Sequence, residues 1–185
     1  MNKYPRTIEN GFGEQITFLR LVWEADGDRL ELENLVSPGG GPPMHVHYLQ
    51  EEGLTIVEGR LGYQRPGEPP QFAEKGETVV FKPGEPHKFW NAGDEELRCT
   101  GYVKPANNLE YFLTALYDSQ MRAGSRRPDP FEGAFLATRY RSEFGMMEVP
   151  GFVQRFVFPV QVAIGKLLGK YRKYADAPKP LPPGL

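Results

Sequence analysis

Up to Pro105, short apolar runs alternate with clusters of glycine, proline, asparagine and aspartate. Runs rich in β-branched and aromatic residues between such clusters are typical of strands. The pattern predicts strands over residues 15–23, 29–36, 54–58, 60–65, 77–81, 87–90 and 97–104. Many short strands separated by tight turns indicate a mainly β fold, either a sandwich or a barrel.

After Pro105 the apolar spacing becomes helical. Large apolar residues recur three and four positions apart, at Leu109, Phe112, Leu113, Leu116 and Tyr117, which predicts an amphipathic helix. We interpret Asn107 and Glu110 as a capping box at its start. A second helix is predicted after Asp129, which precedes a proline and has Glu132 three residues on. A last helix is predicted over residues 160–174.

These patterns divide the chain into a β domain, residues 1–105, and a C-terminal helical extension, residues 106–185. Short amphipathic helices need a surface on which to bury their apolar faces. We therefore expect the extension to pack on the β domain or on a partner subunit.

Length, charge and cysteine content narrow the class of protein. The 185-residue chain is long enough to bury a substantial core. Its formal net charge is only −2, so no overall positive field would attract nucleic acid, and we expect no nucleic-acid partner. The single cysteine, Cys99, cannot form an internal disulfide. No apolar run of signal-peptide or transmembrane length is visible, so we expect a cytoplasmic protein.

The chain has three histidines, and they are grouped with one glutamate. His45 and His47 form an H-x-H pair, and on a strand both imidazoles would face the same side. Glu52 follows after a predicted bend, and His87 lies in a second strand-turn-strand unit. Imidazoles with one carboxylate suit a divalent transition metal and leave coordination positions for water or an anionic ligand.

The spacing of these residues and of nearby glycines resembles a known family. The first run is Gly39-x5-His45-x-His47-x4-Glu52-x6-Gly59, and the second is Gly76-x5-Lys82-Pro83-Gly84-x2-His87-x3-Asn91. Both are similar to the paired motifs of the cupin superfamily, in particular of small bacterial single-barrel (type-2) cupins with germin-like metal motifs. The one departure is Lys82, where the family usually has proline, and the adjacent Pro83 keeps this turn stiff. The resemblance covers residues 15–103.

The resemblance implies a double-stranded β-helix (jelly-roll) barrel in residues 1–105 that binds metal through His45, His47, Glu52 and His87. Mn, Fe, Ni and Zn all accept such ligands, so the identity of the metal stays open. Glu51, beside Glu52, would face the other side of the strand, and we expect it to be solvated. Four aromatic residues are candidates for the lining of a small-molecule pocket, with the barrel core as the alternative: Tyr63, Phe72, Phe81 and Phe89.

Two functions of different kinds fit this pattern. The first is a metalloenzyme of the dioxygenase or isomerase/lyase type on a small organic substrate, with Glu52 as a candidate base. The second is a non-catalytic ligand-binding or sensor module, because a fold does not decide between such functions. We also expect a homodimer, because small cupin barrels commonly pair through their sheets and residues 15–23 could supply the pairing strand.

The last predicted helix has an apolar and a basic stripe. The apolar positions are Val160, Ala163, Ile164, Leu167, Leu168 and Tyr171, and the basic positions are Lys166, Lys170 and Lys173. No acidic residue occurs between positions 151 and 175. Such a helix can lie on an anionic membrane surface, although helices packed on protein have similar patterns. Because Gly165 and Gly169 interrupt the run, we favour packing on protein over membrane contact.

Overall fold

The computed structural model describes residues 3–182, and its secondary structure is mainly β, followed by helices. The strands are β1 (Arg6–Glu9), β2 (Glu14–Glu24), β3 (Gly27–Val36), β4 (His45–His47), β5 (Glu51–Glu58), β6 (Leu61–Gln64), β7 (Gln71–Ala73), β8 (Thr78–Phe81), β9 (Lys88–Asn91), β10 (Leu97–Lys104) and β11 (Phe144–Met146). The helices are α1 (Leu109–Ala123), α2 (Pro130–Arg139) and α3 (Phe158–Leu167), with a π-helical segment (Val153–Val157) before α3 and a 3₁₀ turn (Arg172–Tyr174) after it. The predicted mainly β fold with a C-terminal helical extension is confirmed.

The strands form three antiparallel sheets that do not join into one closed barrel. The large sheet has the order β1-β2-β3-β10-β5-β8, the second β7-β6-β9, and the third β11-β4. Strands of the first two sheets share one apolar core, which contains Leu54, Ile56, Leu61, Phe81 and Leu97. A second core lies between the start of the large sheet and the helices, around Phe18, Leu30, Leu109, Leu136 and Tyr140.

Alternation of side chains explains why the strands bury one face. In β3 the residues at every second position, Leu30, Leu32, Asn34 and Val36, are buried, and the residues between them are not. Gly59 and Gly84 adopt φ angles of 83° and 77° in the turns where the sequence places them, and residues with a Cβ atom rarely take this conformation.

All the predicted strands are present, with ends shifted by a few residues at most. The pattern missed β1, β4, β7 and β11, which have only three or four residues each, although the H-x-H pair indicated a strand at β4. Strands this short contain too few alternations to be recognised in a sequence. Of these strands, β11 matters most for the site, because it pairs with β4 and so joins the helical extension to the H-x-H strand.

The starts of the first two helices gave different outcomes. Asp129 caps α2 as predicted, because its side chain accepts hydrogen bonds from the backbone N–H groups of Phe131 and Glu132. The predicted capping box of α1 is wrong. The N-cap is Asn108, without a side-chain capping bond, and Glu110 instead accepts hydrogen bonds from Tyr4 and Arg6 of the N-terminal segment.

The helix predicted over residues 160–174 is wrong at both ends. α3 begins at Phe158, directly after the π-helical segment, and ends at Leu167. Gly169 has a φ angle of 67°, which stops an α-helix. Beyond it, Tyr171 and Tyr174 pack on α2, where both rings stack on Phe135. The segment 171–174 is therefore docked on α2.

Among residues 3–182, no helix is both long and apolar enough to cross a bilayer. The predicted domain limits 1 and 185 fall on residues outside the described part of the chain.

Candidate metal centre

β4 carries two imidazoles on one side. His45 and His47 are its first and last residues, and residues two apart on a strand point in the same direction. β11 pairs with β4 along its whole length, with Phe144 opposite His47 and Met146 opposite His45. The extension therefore supports the strand that holds both histidines.

Glu52 and His87 reach the same place from other parts of the β domain. Glu52 lies on β5, which is flanked by β10 and β8. His87 precedes β9 and exchanges two backbone hydrogen bonds with His45, of 2.9 and 2.8 Å. These bonds hold the backbone of His87 directly beside β4, so the two sequence motifs meet there.

The side chains of His45, His47, Glu52 and His87 converge on one point. Each offers one ligand atom, and these atoms lie within 4.8 Å of one another. Glu52 Oε2 is 3.1 Å from His87 Nε2, 3.4 Å from His47 Nε2 and 3.9 Å from His45 Nε2. Atoms that bind one metal ion at about 2.1 Å are roughly 3–4 Å apart. This group could therefore hold a metal ion with little rearrangement.

Backbone carbonyl groups orient two of the imidazoles. His45 Nδ1 is 2.9 Å from the carbonyl oxygen of Pro43, and His87 Nδ1 is 2.9 Å from that of Glu85. A carbonyl oxygen only accepts, so each Nδ1 carries a proton and donates it. In a neutral imidazole, Nε2 then directs a lone pair at the centre, an arrangement common among metal-binding histidines. Lone pairs facing a carboxylate repel it unless a cation lies between them.

Burial sets the protonation of this group. It lowers the pKa of His47 to about 3, so the imidazole is neutral at neutral pH and can bind a cation. Burial alone would raise the pKa of Glu52, but the close imidazoles of His45, His47 and His87 hold that pKa well below its usual value. Glu52 is therefore ionised at neutral pH and can act as a carboxylate ligand.

Aromatic rings restrict the imidazole planes. Phe81 stacks on His87 with a centroid separation of 3.8 Å and an interplanar angle of 2°, and His87 is only 1% exposed. Phe144 meets His47 edge-on, with centroids 5.5 Å apart. Side chains held in this way are preorganised for a ligand, because they lose little freedom when it binds.

A cavity of about 640 Å³ borders the ligand group. Three of the ligands, His45, His47 and Glu52, line it. The helical extension contributes much of the remaining wall, including Phe112, Leu116 and Tyr117 of α1, Ala134 and Ala137 of α2, and Phe158 of α3. This volume lies in the range of small-molecule sites, and the wall is mostly apolar.

Of the four predicted pocket residues, only Phe89 lines this cavity. Tyr63 donates a hydrogen bond to Gln71 on the neighbouring strand. Phe81 lies in the apolar core shared by the first two sheets, behind His87. Phe72 is 47% exposed and packs edge-on against Trp90. The sequence did not show which face of each strand meets the cavity.

Polar residues of the cavity wall were missed, and alternation could have found two of them. Asn34 lies on the inward face of β3 together with Leu32 and lines the cavity. Glu14 shares its side of β2 with the buried Ile16 and Phe18, and it also lines the cavity. The predicted strand began one residue later, which left Glu14 in the preceding turn.

Glu14 is a carboxyl group with altered acidity. Burial raises its pKa above the usual value, although hydrogen bonds from Tyr117 and Asn10 act in the opposite direction. The Tyr117 hydroxyl donates to Glu14 Oε2 at 3.1 Å, and Asn10 Nδ2 donates to Oε1 at 2.9 Å. A carboxyl group with a raised pKa that borders a cavity is a candidate for proton transfer.

Two other reactive groups lie away from the centre. Glu51 accepts a hydrogen bond of 2.6 Å from the Tyr102 hydroxyl, so it is partly buried and not freely solvated as expected. Cys99 is 1% exposed, and burial raises the pKa of its thiol to about 12. It is not activated as a nucleophile.

Comparison with known families agrees with this arrangement. The model of the Cupin_2 family, described as a cupin domain, matches residues 34–102. The matched segment contains His45, His47, Glu52 and His87. The match supports the double-stranded β-helix fold that the sequence motifs imply.

Curated relatives match only part of the chain. An oxidoreductase of Pestalotiopsis fici, iacF, is 25% identical over 101 residues, which cover 50% of this chain and 50% of that protein. An uncharacterized protein of Methanocaldococcus jannaschii is 35% identical over 72 residues, which cover 38% of this chain and 57% of that protein. The chain thus spans about half the length of these relatives.

Similar solved structures also align with about half of the chain. The polyketide cyclase RemF of Streptomyces resistomycificus has 24% identity and a TM-score of 0.43, over 49% of this chain and 64% of its own. A conserved protein of Klebsiella pneumoniae with a double-stranded β-helix domain has 24% identity and a TM-score of 0.41, over 47% of this chain and 75% of its own.

Proposed function

This chain belongs to the cupin superfamily through residues 34–102, and from that premise we propose that it is a metal-dependent enzyme acting on a small, largely apolar organic molecule. His45, His47, Glu52 and His87 would hold one divalent transition metal, chosen from Mn, Fe, Ni and Zn by availability as much as by affinity.

One observation carries the proposal: the ligand group faces a cavity of about 640 Å³ that also holds ionisable and polar side chains. His45, His47 and Glu52 border the space directly, so a molecule in the cavity could reach a metal on these ligands. A closed structural site would have no such access. The cavity therefore favours an enzyme over a module in which the metal has only a structural role.

The groups around the cavity would have different roles in catalysis. A divalent metal would polarise a bound substrate oxygen or supply redox chemistry. The apolar wall from α1 and α2 would exclude water, which strengthens electrostatic interactions inside. We assign proton transfer to Glu14 and not to Glu52, because the depressed pKa of Glu52 makes it a weak base. Tyr117 orients Glu14 through its hydroxyl group.

Two classes of reaction suit this arrangement of groups. Oxygen-dependent cleavage and isomerisation or elimination both suit a metal with open positions beside a proton-transferring carboxyl group. Similarity to a protein named as an oxidoreductase gives some support to the first class. The apolar wall favours phenolic or enolizable substrates with a single polar end.

The test is a screen of small phenolic and enolizable compounds with metal-loaded protein. Oxygen uptake would report a dioxygenase, and proton NMR would report isomerisation or elimination. With any substrate found, we expect Glu14→Gln to lower kcat by about 10²–10⁴-fold with little change in KM. Ala137→Phe should narrow the cavity and weaken substrate binding while the metal content stays unchanged.

The outcomes separate the two functions considered. Compounds that bind the metal-loaded protein but are never converted would favour a ligand-binding or sensor module. A Glu14→Gln variant with full kcat would remove Glu14 from the mechanism and leave the metal centre untouched.

We also propose that the protein is a homodimer, and sedimentation at micromolar concentration should show a species near twice 20.9 kDa. The pairing strand cannot be residues 15–23 as a whole, because β1 already pairs with Gln15, Ile16, Thr17 and Phe18. The free edges of the large sheet are β1 and β8, which can accept a strand from a second copy. A sharp monomer at that concentration would contradict this proposal.

A further inference from the structure

The segment from Phe152 to Leu168 leaves a row of large apolar side chains in water. Its exposed members are Phe152, Phe156, Val157, Val160, Ile164, Leu167 and Leu168, and Leu167 is 89% exposed. Apart from the adjacent pairs 156/157 and 167/168, these positions follow one another at three- and four-residue spacing, so they lie along one side of the helix. We call this row the apolar stripe. The β domain does not cover these residues, so of the two packing surfaces expected from the sequence only a partner subunit is left for them.

The opposite face of the same helix is the one that packs on the protein. Val162 packs against the second core, Gly165 is buried, and Phe158 and Gln161 line the cavity. The helix is thus apolar on both sides but buried on only one. A helix that is apolar all round is normally covered all round, so the stripe calls for a second apolar surface.

The glycines that argued against a membrane role have another explanation in the structure. A methyl group at Gly165 would overlap the hydroxyl group of Tyr171, which donates a hydrogen bond to the carbonyl oxygen of Phe131. Gly169 makes the left-handed turn that brings the chain back to α2. Both glycines are therefore required by the packed side of the helix, and neither interrupts the exposed apolar stripe.

Positive charge surrounds the stripe. Arg155 and Lys166 lie within its range, and Lys170, Arg172 and Lys173 follow its C-terminal end, all exposed. No acidic residue occurs from position 151 to 175. Lys173 is paired with Glu132, and the other four cations have no salt-bridge partner within residues 3–182. A surface with an apolar centre and unpaired cations is complementary to anionic lipid.

We propose that the apolar stripe docks on an anionic membrane surface, with the helix lying in the plane of the headgroups. A second copy of the chain fits less well. A two-fold contact through the stripe would bring the same cations of both copies together without an acid from this segment to neutralise them. Docking through this helix would also place the cavity wall formed by Phe158 and Gln161 close to the membrane, where apolar substrates partition.

The experiment is co-sedimentation of the full chain with vesicles of phosphatidylcholine alone or with about 30% phosphatidylglycerol. We expect binding to the anionic vesicles, weak binding to the neutral ones, and loss of binding at about 0.5 M salt, where charges are screened. Leu167→Glu should lower partitioning by at least about ten-fold. Met121→Glu is the matched control, because Met121 is 47% exposed on α1 and gives the same change in charge.

Several results would overturn the proposal. These are equal binding of the Leu167→Glu and Met121→Glu variants, an absence of binding to anionic vesicles, or equal binding to neutral ones. Analytical ultracentrifugation of both variants without lipid tests whether a second copy of the chain covers the stripe instead. A dimer that only Leu167→Glu dissociates, together with no vesicle binding by the wild type, would assign the stripe to a second copy of the chain.

Discussion

Protein purified without chelators is expected to carry close to one transition-metal ion per chain, and the His45→Ala/His87→Ala variant to carry none. The double variant removes two of the imidazoles and leaves Glu52 and His47, which are too few ligands to hold a divalent transition metal against buffer and water. Elemental analysis by plasma mass spectrometry measures both. Circular dichroism on the same samples establishes that the variant is folded.

Adjacent glutamates supply a matched control for the carboxylate ligand. Glu52→Ala should lower metal affinity strongly, because the only negative charge of the group is lost. Glu51→Ala should leave metal affinity unchanged, because Glu51 is hydrogen-bonded to Tyr102 on the other side of the same strand. Equal losses in the two variants would argue against Glu52 as a ligand. Wild-type protein that stays free of metal after reconstitution with Mn, Fe, Ni and Zn would refute the metal site itself.

The grouping of the four candidate metal ligands was predictable because each of these residues belongs to a local motif. His45 and His47 are set by the alternation of one strand, and the turn around Gly84 positions His87 at a fixed distance along the chain. The first motif supplies three residues of the site and the second supplies His87. The resemblance to the cupin family implies that the two motifs meet in the fold. The structure adds the carbonyl partners of His45 and His87, which decide the direction of the lone pairs.

The cavity was not predictable in the same way, because its wall combines parts of the chain far apart in sequence. Glu14 and Tyr117 are 103 positions apart and meet only when α1 packs over the large sheet. Apolar periodicity in α1 predicts that Phe112 and Leu116 are buried, but it does not tell a core from a cavity wall. The helical extension therefore belongs to the proposed active site as well as to the scaffold.

The C-terminal segment shows how local pattern can mislead. The spacing of Val160, Ile164 and Leu167 predicts a buried face, but these residues are exposed, and Gly165 marks the buried side. Tertiary contacts of Tyr171 and Tyr174 with α2 decide which face turns inward. Such contacts have no signature in the amphipathic pattern of the helix itself.

Tyr174→Ala is expected to destabilise the protein by about 3 kcal/mol, because truncation of a buried aromatic residue leaves a cavity. The ring of Tyr174 stacks on Phe135 at 4.9 Å, and its hydroxyl group donates to Glu132 at 2.8 Å. Burial opposes ionisation of Glu132, but hydrogen bonds from Lys173, Tyr174 and Arg122 lower its pKa to about 2. This carboxylate therefore stabilises the fold above its ordinary pKa of 4.5, and the contribution is lost as the pH falls toward 2.

Urea unfolding of Tyr174→Ala and Leu167→Ala, monitored by circular dichroism, compares the packed and the exposed side of the C-terminal segment. Leu167 is 89% exposed, so its truncation should change the free energy of unfolding by less than about 0.5 kcal/mol. Both variants should retain the metal, because neither side chain contacts the ligand group. An equal shift of the urea midpoint in the two variants would show that residues 171–174 are not docked on α2. The contact that orients the apolar stripe of α3 toward solvent would then be missing.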